Sequence, residues 1–170
     1  MIGGRGLLNP ATKRRSYKLD YKEKRFEEDI EHFLLTKGGY LKGDMSTYDR
    51  EKAIDMPKLI EFIKISQPRA WRRYERTYKG EAEKRLYKRV NESIEMHGLL
   101  HVLRNGINDR GIRLRLAYFK PESTLNPDVI KKYESNILTC TRQFKYSPRN
   151  ENSIDMVLSL NGIPIVALEL

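Results

Sequence analysis

The sequence predicts an α+β chain with helices first and an antiparallel meander after, and three observations carry that prediction. Apolar residues recur at helical spacing as far as Leu103. From Ile112 onward they alternate with polar residues, the period of a half-buried strand. Asn161-Gly162 then separates two apolar runs, a strong short-range signal for a hairpin.

The elements follow in chain order. Residues 1–23 are basic and poor in large aliphatic side chains, and read as an N-terminal arm, loosely packed or touching DNA. Residues 24–37 form the first expected helix. Phe26, Ile30, Phe33 and Leu34 set its period, and Gly38-Gly39 stop it. Glu27, Glu28, Asp29 and Glu31 crowd its first half, where the helix dipole favours acids. Residues 57–67 form the next, with Pro57 at the start and Leu59, Ile60, Phe62, Ile63 and Ile65 as its apolar set. Pro68 breaks it, and helices over 69–79 and 81–97 follow, separated at Gly80 and ended at Gly98. Leu99 to Leu103 add a short turn. Strands are expected over 112–119, 137–146, 153–160 and 164–170, with 120–136 as a loop holding one helical turn. The helical block 57–103 is expected to pack beside the sheet as an insertion in a domain spanning 24–170. The chain stops inside an apolar strand pattern, so the domain is expected to be truncated there.

Composition narrows the class. Lys and Arg outnumber Asp and Glu by 33 to 23, a net charge of +10, which favours phosphate backbones or anionic surfaces as partners. One cysteine, Cys140, excludes an internal disulfide, and with three scattered histidines it makes no zinc spacing. Cys140 lies in an apolar stretch and reads as a quiet buried thiol. No apolar run approaches the ~18 residues of a spanning helix, and no secretory leader is evident, so a cytoplasmic protein without a membrane partner is expected.

The last hairpin carries the chemistry. With its loop centred on Gly162, Leu160 faces Pro164, Leu158 faces Val166 and Asp155 faces Glu169. Opposite residues point to one face with Cβ atoms ~5 Å apart. One face then holds Asp155, Val157, Ser159, Ile165, Ala167 and Glu169. The other holds Ile154, Met156, Leu158, Leu160, Val166, Leu168 and Leu170, and is expected to be core. Two carboxylates so close repel unless a divalent cation lies between them. Mg²⁺ is commonly held by one or two carboxylates, waters and phosphate oxygens. The alternative is two strand-end acids facing solvent.

The stretch Asn152-Ser153-Ile154-Asp155-Met156-Val157-Leu158-Ser159-Leu160-Asn161-Gly162-Ile163-Pro164-Ile165-Val166-Ala167-Leu168-Glu169-Leu170 resembles the nuclease motif of the restriction (R) subunit of type I restriction-modification enzymes, that family's version of the PD-(D/E)xK core. The segments Phe26-Glu27 through Gly38-Gly39-Tyr40, Leu103 to Ile107, Tyr133 with Asn136, and Thr141-Arg142-Gln143-Phe144-Lys145-Tyr146-Ser147 resemble further blocks of that domain. The resemblance implies a mainly antiparallel sheet flanked by helices. It implies that Asp155 and Glu169 are catalytic carboxylates ligating Mg²⁺, assisted by a first-helix acid, Glu27 or else Glu31. It places a catalytic lysine just after Leu170, which this chain does not contain, so the fragment is expected to cut poorly. The activity implied is that of a type I site-specific deoxyribonuclease on double-stranded DNA, with methyltransferase and specificity subunits as partners. ATP would act only through motor domains absent from this chain, and no Walker sequence occurs here.

A basic block completes the reading. Lys64 through Arg89 holds ten Lys/Arg against three acids, with Trp71, Tyr74, Tyr78 and Tyr87 interleaved. Arg69, Arg72, Arg73 and Arg76 share a helical face suited to phosphates, with the aromatics either stacking on bases or packing inward. Arg142 and Gln143, on a strand beside the acids, are further candidates for DNA contact, or else an ordinary edge pair. The competing function is a non-catalytic basic module that binds DNA or another subunit.

Overall fold

The computed structural model describes residues 10–50, 54–123, 125–147 and 152–170, with side chains from residue 22 onward. The described residues form six helices, a mixed four-stranded sheet and a separate two-stranded sheet. The α+β class expected from the sequence is the observed one.

The first helix, α1, runs from Pro10 to Thr36, so the helix expected over 24–37 begins earlier. Residues 1–9 of the expected arm lie outside the described residues. Gly39 ends α1 in the left-handed region (φ 73°), and the Tyr40 amide donates back to the Leu34 carbonyl at 3.1 Å. What α1 buries differs from its apolar pattern. Phe26 and Phe33 are 55% and 59% exposed, whereas Glu27 is 6% exposed. The helix turns its acidic face to the sheet, where the guanidinium of Arg142 pairs with Glu27.

Strand β1 (Leu41–Lys42) follows, then α2 (Met56–Ser66). Asp55 caps α2 by accepting from the Lys58 amide at 3.1 Å, and Pro57 occupies the first turn. Leu59, Ile60, Phe62 and Ile63 are buried as expected, but Ile65 is not. Helices α3 (Pro68–Tyr78), α4 (Ala82–His97) and α5 (Leu99–Asn105) complete the block, α5 being longer than the expected turn. Most of the buried core lies in this block and in the hairpin of β2 (Ile107–Asp109) and β3 (Ile112–Leu114).

The strand expected over 112–119 is regular only to Leu114 and does not join the main sheet. Its alternation is real, with Ile112, Leu114 and Leu116 all buried. Beyond Leu114, side-chain amides replace a neighbouring strand. Gln67 accepts from the Arg115 amide at 2.8 Å and donates to its carbonyl at 2.9 Å. Asn136 does the same for Tyr118, at 3.2 and 2.6 Å. The expected loop 120–136 contains a two-turn helix, α6 (Pro127–Glu134). Asn126 and Pro127, which read as loop signals, are its N-cap and first-turn residues.

The main sheet has the order β1-β4-β5-β6, with β4 spanning Leu138–Lys145, β5 Ser153–Leu160 and β6 Ile163–Leu168. β1 pairs parallel with β4, and the other two pairings are antiparallel. Asn161 and Gly162 form the turn with φ of 53° and 80°, the signs that a tight primed turn demands. Asn161 is fully buried. It accepts from the Ile137 amide at 2.7 Å and donates to the Leu116 carbonyl at 2.8 Å, which ties the turn to two other segments.

The expected core face of the hairpin needs correction. Met156 is fully buried, but Val166 is 41% exposed, and Val157 and Ser159 of the opposite face are buried. β5 is an inner strand covered on both faces, while β6 lies at the sheet edge. Among the described residues no helix is long and apolar enough to cross a membrane.

Candidate nuclease site

The register of the last hairpin decides whether its two acids can meet. Leu160 pairs with Ile163, not Pro164, because the turn has two residues. The ladder then shifts between Leu158 and Ser159, leaving Ile165 as the extra residue beside Pro164, which has no amide to donate. Beyond this bulge Leu158 pairs with Val166, Val157 with Ala167 and Met156 with Leu168. One step further, the same register sets Asp155 across from Glu169. Without the bulge the two acids would be offset by one residue and face opposite ways.

Asp155 is half-buried and Glu169 is exposed, just past the last residue of β6. Asp155 Oδ2 accepts from the Leu170 amide at 2.8 Å, so the acid braces the chain as it leaves the strand. Asp155 lines a polar cleft of about 440 Å³ with Glu23, Lys24, Glu27, Arg142, Gln143 and Leu170; Glu169 is not part of that lining.

Glu27 is held from two sides. Arg142 Nε and Nη2 donate to its Oε2 at 3.2 and 3.1 Å. Gln143 Nε2 donates to its Oε1 and Oε2 at 3.2 and 3.3 Å. Arg142 also reaches Glu31 at 3.4 Å and Glu28 at 3.8 Å, and Lys42 lies 3.8 Å from Glu31. Burial works against the charge on Arg142, but hydrogen bonds and charge from Glu27 and Glu31 outweigh it and push its pKa up. The head groups of Arg142 and Gln143, expected on DNA, are therefore engaged by α1. Of the two first-helix acids, Glu27 lines the cleft and Glu31 sits behind it on Arg142.

Gln143 has φ 47°, a left-handed conformation inside a strand, at a cost of roughly 1–2 kcal/mol for a residue with a side chain. No periodicity in the sequence signals it. Cys140 is fully buried, and burial pushes its thiol pKa up, as suits an inert core cysteine.

The acidic donors at the cleft are carboxylate oxygens, hard ligands that suit Mg²⁺. Among the described residues no three His, Cys, Asp or Glu side chains gather into a metal cage. Mg²⁺ is commonly held by one or two carboxylates with water and phosphate oxygens, and Asp155 supplies one such carboxylate at the cleft. A larger groove of about 650 Å³ between α4–α5 and the hairpin is lined mainly by apolar side chains such as Ile94, Leu99, Ile154 and Val157. Asp155 and Glu27 line the smaller cleft instead.

On α3, Arg69, Arg72, Arg73 and Arg76 are all exposed. The interleaved aromatics pack inward: Trp71 and Tyr74 are buried, and the Tyr74 and Tyr78 hydroxyls donate to Asp109 at 2.8 and 2.7 Å. They are core residues and are not presented for base stacking.

No curated protein and no solved structure matches the chain significantly. The family model for the type I restriction enzyme R protein N terminus matches residues 32–170, which includes Arg142, Gln143, Asp155 and Glu169 and begins just after Glu27 and Glu31. That match takes in the hairpin and most of the chain, so this protein belongs to the family of type I restriction enzyme R protein N-terminal domains.

Proposed function

We propose that this domain hydrolyses phosphodiester bonds of double-stranded DNA with Mg²⁺ held by Asp155 and Glu169. The observation that carries the reading is the bulged register of the β5–β6 hairpin, whose last pair, Met156 with Leu168, would put Asp155 across from Glu169 if extended by one residue. Asp155 is oriented at the cleft by the Leu170 amide, which donates to its Oδ2. Glu27 stands in the cleft wall as a buried negative charge. When bound, the cation supplies polarisation of the phosphodiester and a lower pKa for the attacking water. Within the intact enzyme, methyltransferase and specificity subunits would choose the DNA, ATP-driven motor domains would deliver it, and the cytoplasm would be the compartment.

Titrating Mn²⁺ into the protein tests this. The wild type should show a site that Asp155→Ala loses. Identical binding curves for the two would overturn the metal-dependent reading. The competing reading, a binding module without chemistry, is favoured by one observation: Glu169 is exposed and outside the cleft lining.

The exposed arginines of α3 are proposed to contact phosphates. Each phosphate neutralised on a duplex adds about 0.9 to the slope of log K against log salt. Replacing Arg69, Arg72, Arg73 and Arg76 by alanine should therefore flatten that slope by about 3 to 4. An unchanged slope in a salt series of DNA-binding isotherms would assign this face to another partner.

A further inference from the structure

We infer that Arg142 and Gln143 are positioning residues, and that the break in β4 at Gln143 exists to turn two consecutive side chains onto one buried carboxylate, Glu27, beside Asp155. The inference rests on the metal-dependent reading above. It gives these two residues a task other than DNA contact.

Consecutive residues of a regular strand point to opposite faces of the sheet. Arg142 and Gln143 nevertheless both donate to Glu27. The exception falls at Gln143, whose φ of 47° interrupts the alternation. The β4–β5 ladder passes from Arg142↔Met156 to Phe144↔Ile154, so the residue across from Gln143 in that register is Asp155. Non-glycine residues in the left-handed region persist where the surroundings over-determine them, and they gather at functional sites.

The amide of Gln143 is committed at both ends. Its nitrogen donates to Glu27, and its oxygen accepts from the Ser153 hydroxyl at 3.1 Å, two residues before Asp155. Gln143 thus couples α1 to the strand that bears Asp155. Arg142 cannot double as a phosphate clamp, because three carboxylates already surround its single charge: Glu27 at 3.1 Å, Glu31 at 3.4 Å and Glu28 at 3.8 Å. An incoming phosphate would meet net repulsion there.

With both oxygens of Glu27 engaged, that acid does not wrap an ion itself. It remains a fixed charge that orients water and cation at Asp155. Partners of this outer kind commonly change metal affinity by 10- to 100-fold when removed.

Gln143→Gly separates positioning from folding. Glycine adopts φ 47° freely, so thermal unfolding should occur at or above the wild-type midpoint. Mn²⁺ affinity, read by calorimetry at the site that Asp155→Ala abolishes, should fall about tenfold. Gln143→Asn, which also tolerates the left-handed region but is too short to reach both partners, should weaken binding similarly and serves if the glycine variant fails to fold. Wild-type affinity in either folded variant overturns the positioning role and leaves the metal site standing. A wild type that binds no Mn²⁺, or an Asp155→Ala protein that binds it equally well, overturns both.

Discussion

Gly162→Ala should destabilise the protein by about 3–5 kcal/mol, enough to unfold much of it in mild urea. Two causes add. Gly162 has φ 80°, where a side chain costs roughly 1–2 kcal/mol. In addition, a Cβ there would lie 2.2 Å from the Asp55 carbonyl oxygen and 3.1 Å from its carbon, both backbone atoms. Asp55 is the N-cap of α2 and its amide donates to the Gly162 carbonyl at 2.8 Å, so neither segment can retreat without losing that bond. Gly111→Ala is the matched control. Its φ is 73°, but nothing lies within 4 Å of the added carbon, so only the conformational cost of about 1–2 kcal/mol should appear. Equal losses in urea titrations of the two variants would mean that the turn does not press on α2.

Arg142→Ala should cost about 3 kcal/mol by leaving the carboxylate of Glu27 buried without its partner. Removing one member of a buried ion pair typically costs ~3–5 kcal/mol, and the 20% exposure of the Arg142 side chain argues for the lower end. The double variant Arg142→Ala/Glu27→Gln removes the orphaned charge and should recover most of the loss. Strict additivity of the two single changes would show that the pair does not interact energetically. The prediction also bears on function, since the same guanidinium fastens α1 to the strand facing Asp155.

The first prediction concerns the turn of the β5–β6 hairpin and the second the strand β4 beside it. At the turn, Gly162 sets where the ladder starts. At the open end, the ladder decides whether Asp155 and Glu169 share a face. The bulge at Ile165 supplies the phase. A two-residue turn alone would pair residues one step out of the register expected from the sequence, and the extra residue restores it from Leu158 to Met156. The expectation of Asp155 across from Glu169 therefore assumed the wrong turn and reached the register that holds beyond Leu158.

Helices α2 to α4 and strand β5 were legible because their signals are local: Pro57 at a helix start, Gly98 at a helix end, alternation up to Asn161. The short β1 carried no such signal, since its two residues become a strand only by pairing with β4. The stretch after Leu114 alternates like a strand, yet it satisfies its backbone through the amides of Gln67, Asn136 and Asn161, which no local pattern announces.

The sequence by itself determined that Asp155 lies on the strand that leads into the Asn161-Gly162 turn, because turn chemistry and period-two alternation act over a few residues. Only the tertiary structure decided that Glu27, and not the helix's phenylalanines, faces the sheet. It also decided that Arg142 and Gln143 spend their hydrogen bonds on that acid. Those contacts join residues more than 100 apart in the chain. They depend on the packing of α1 against β4 and on one left-handed residue at φ 47°, which only neighbours distant in sequence can hold in place.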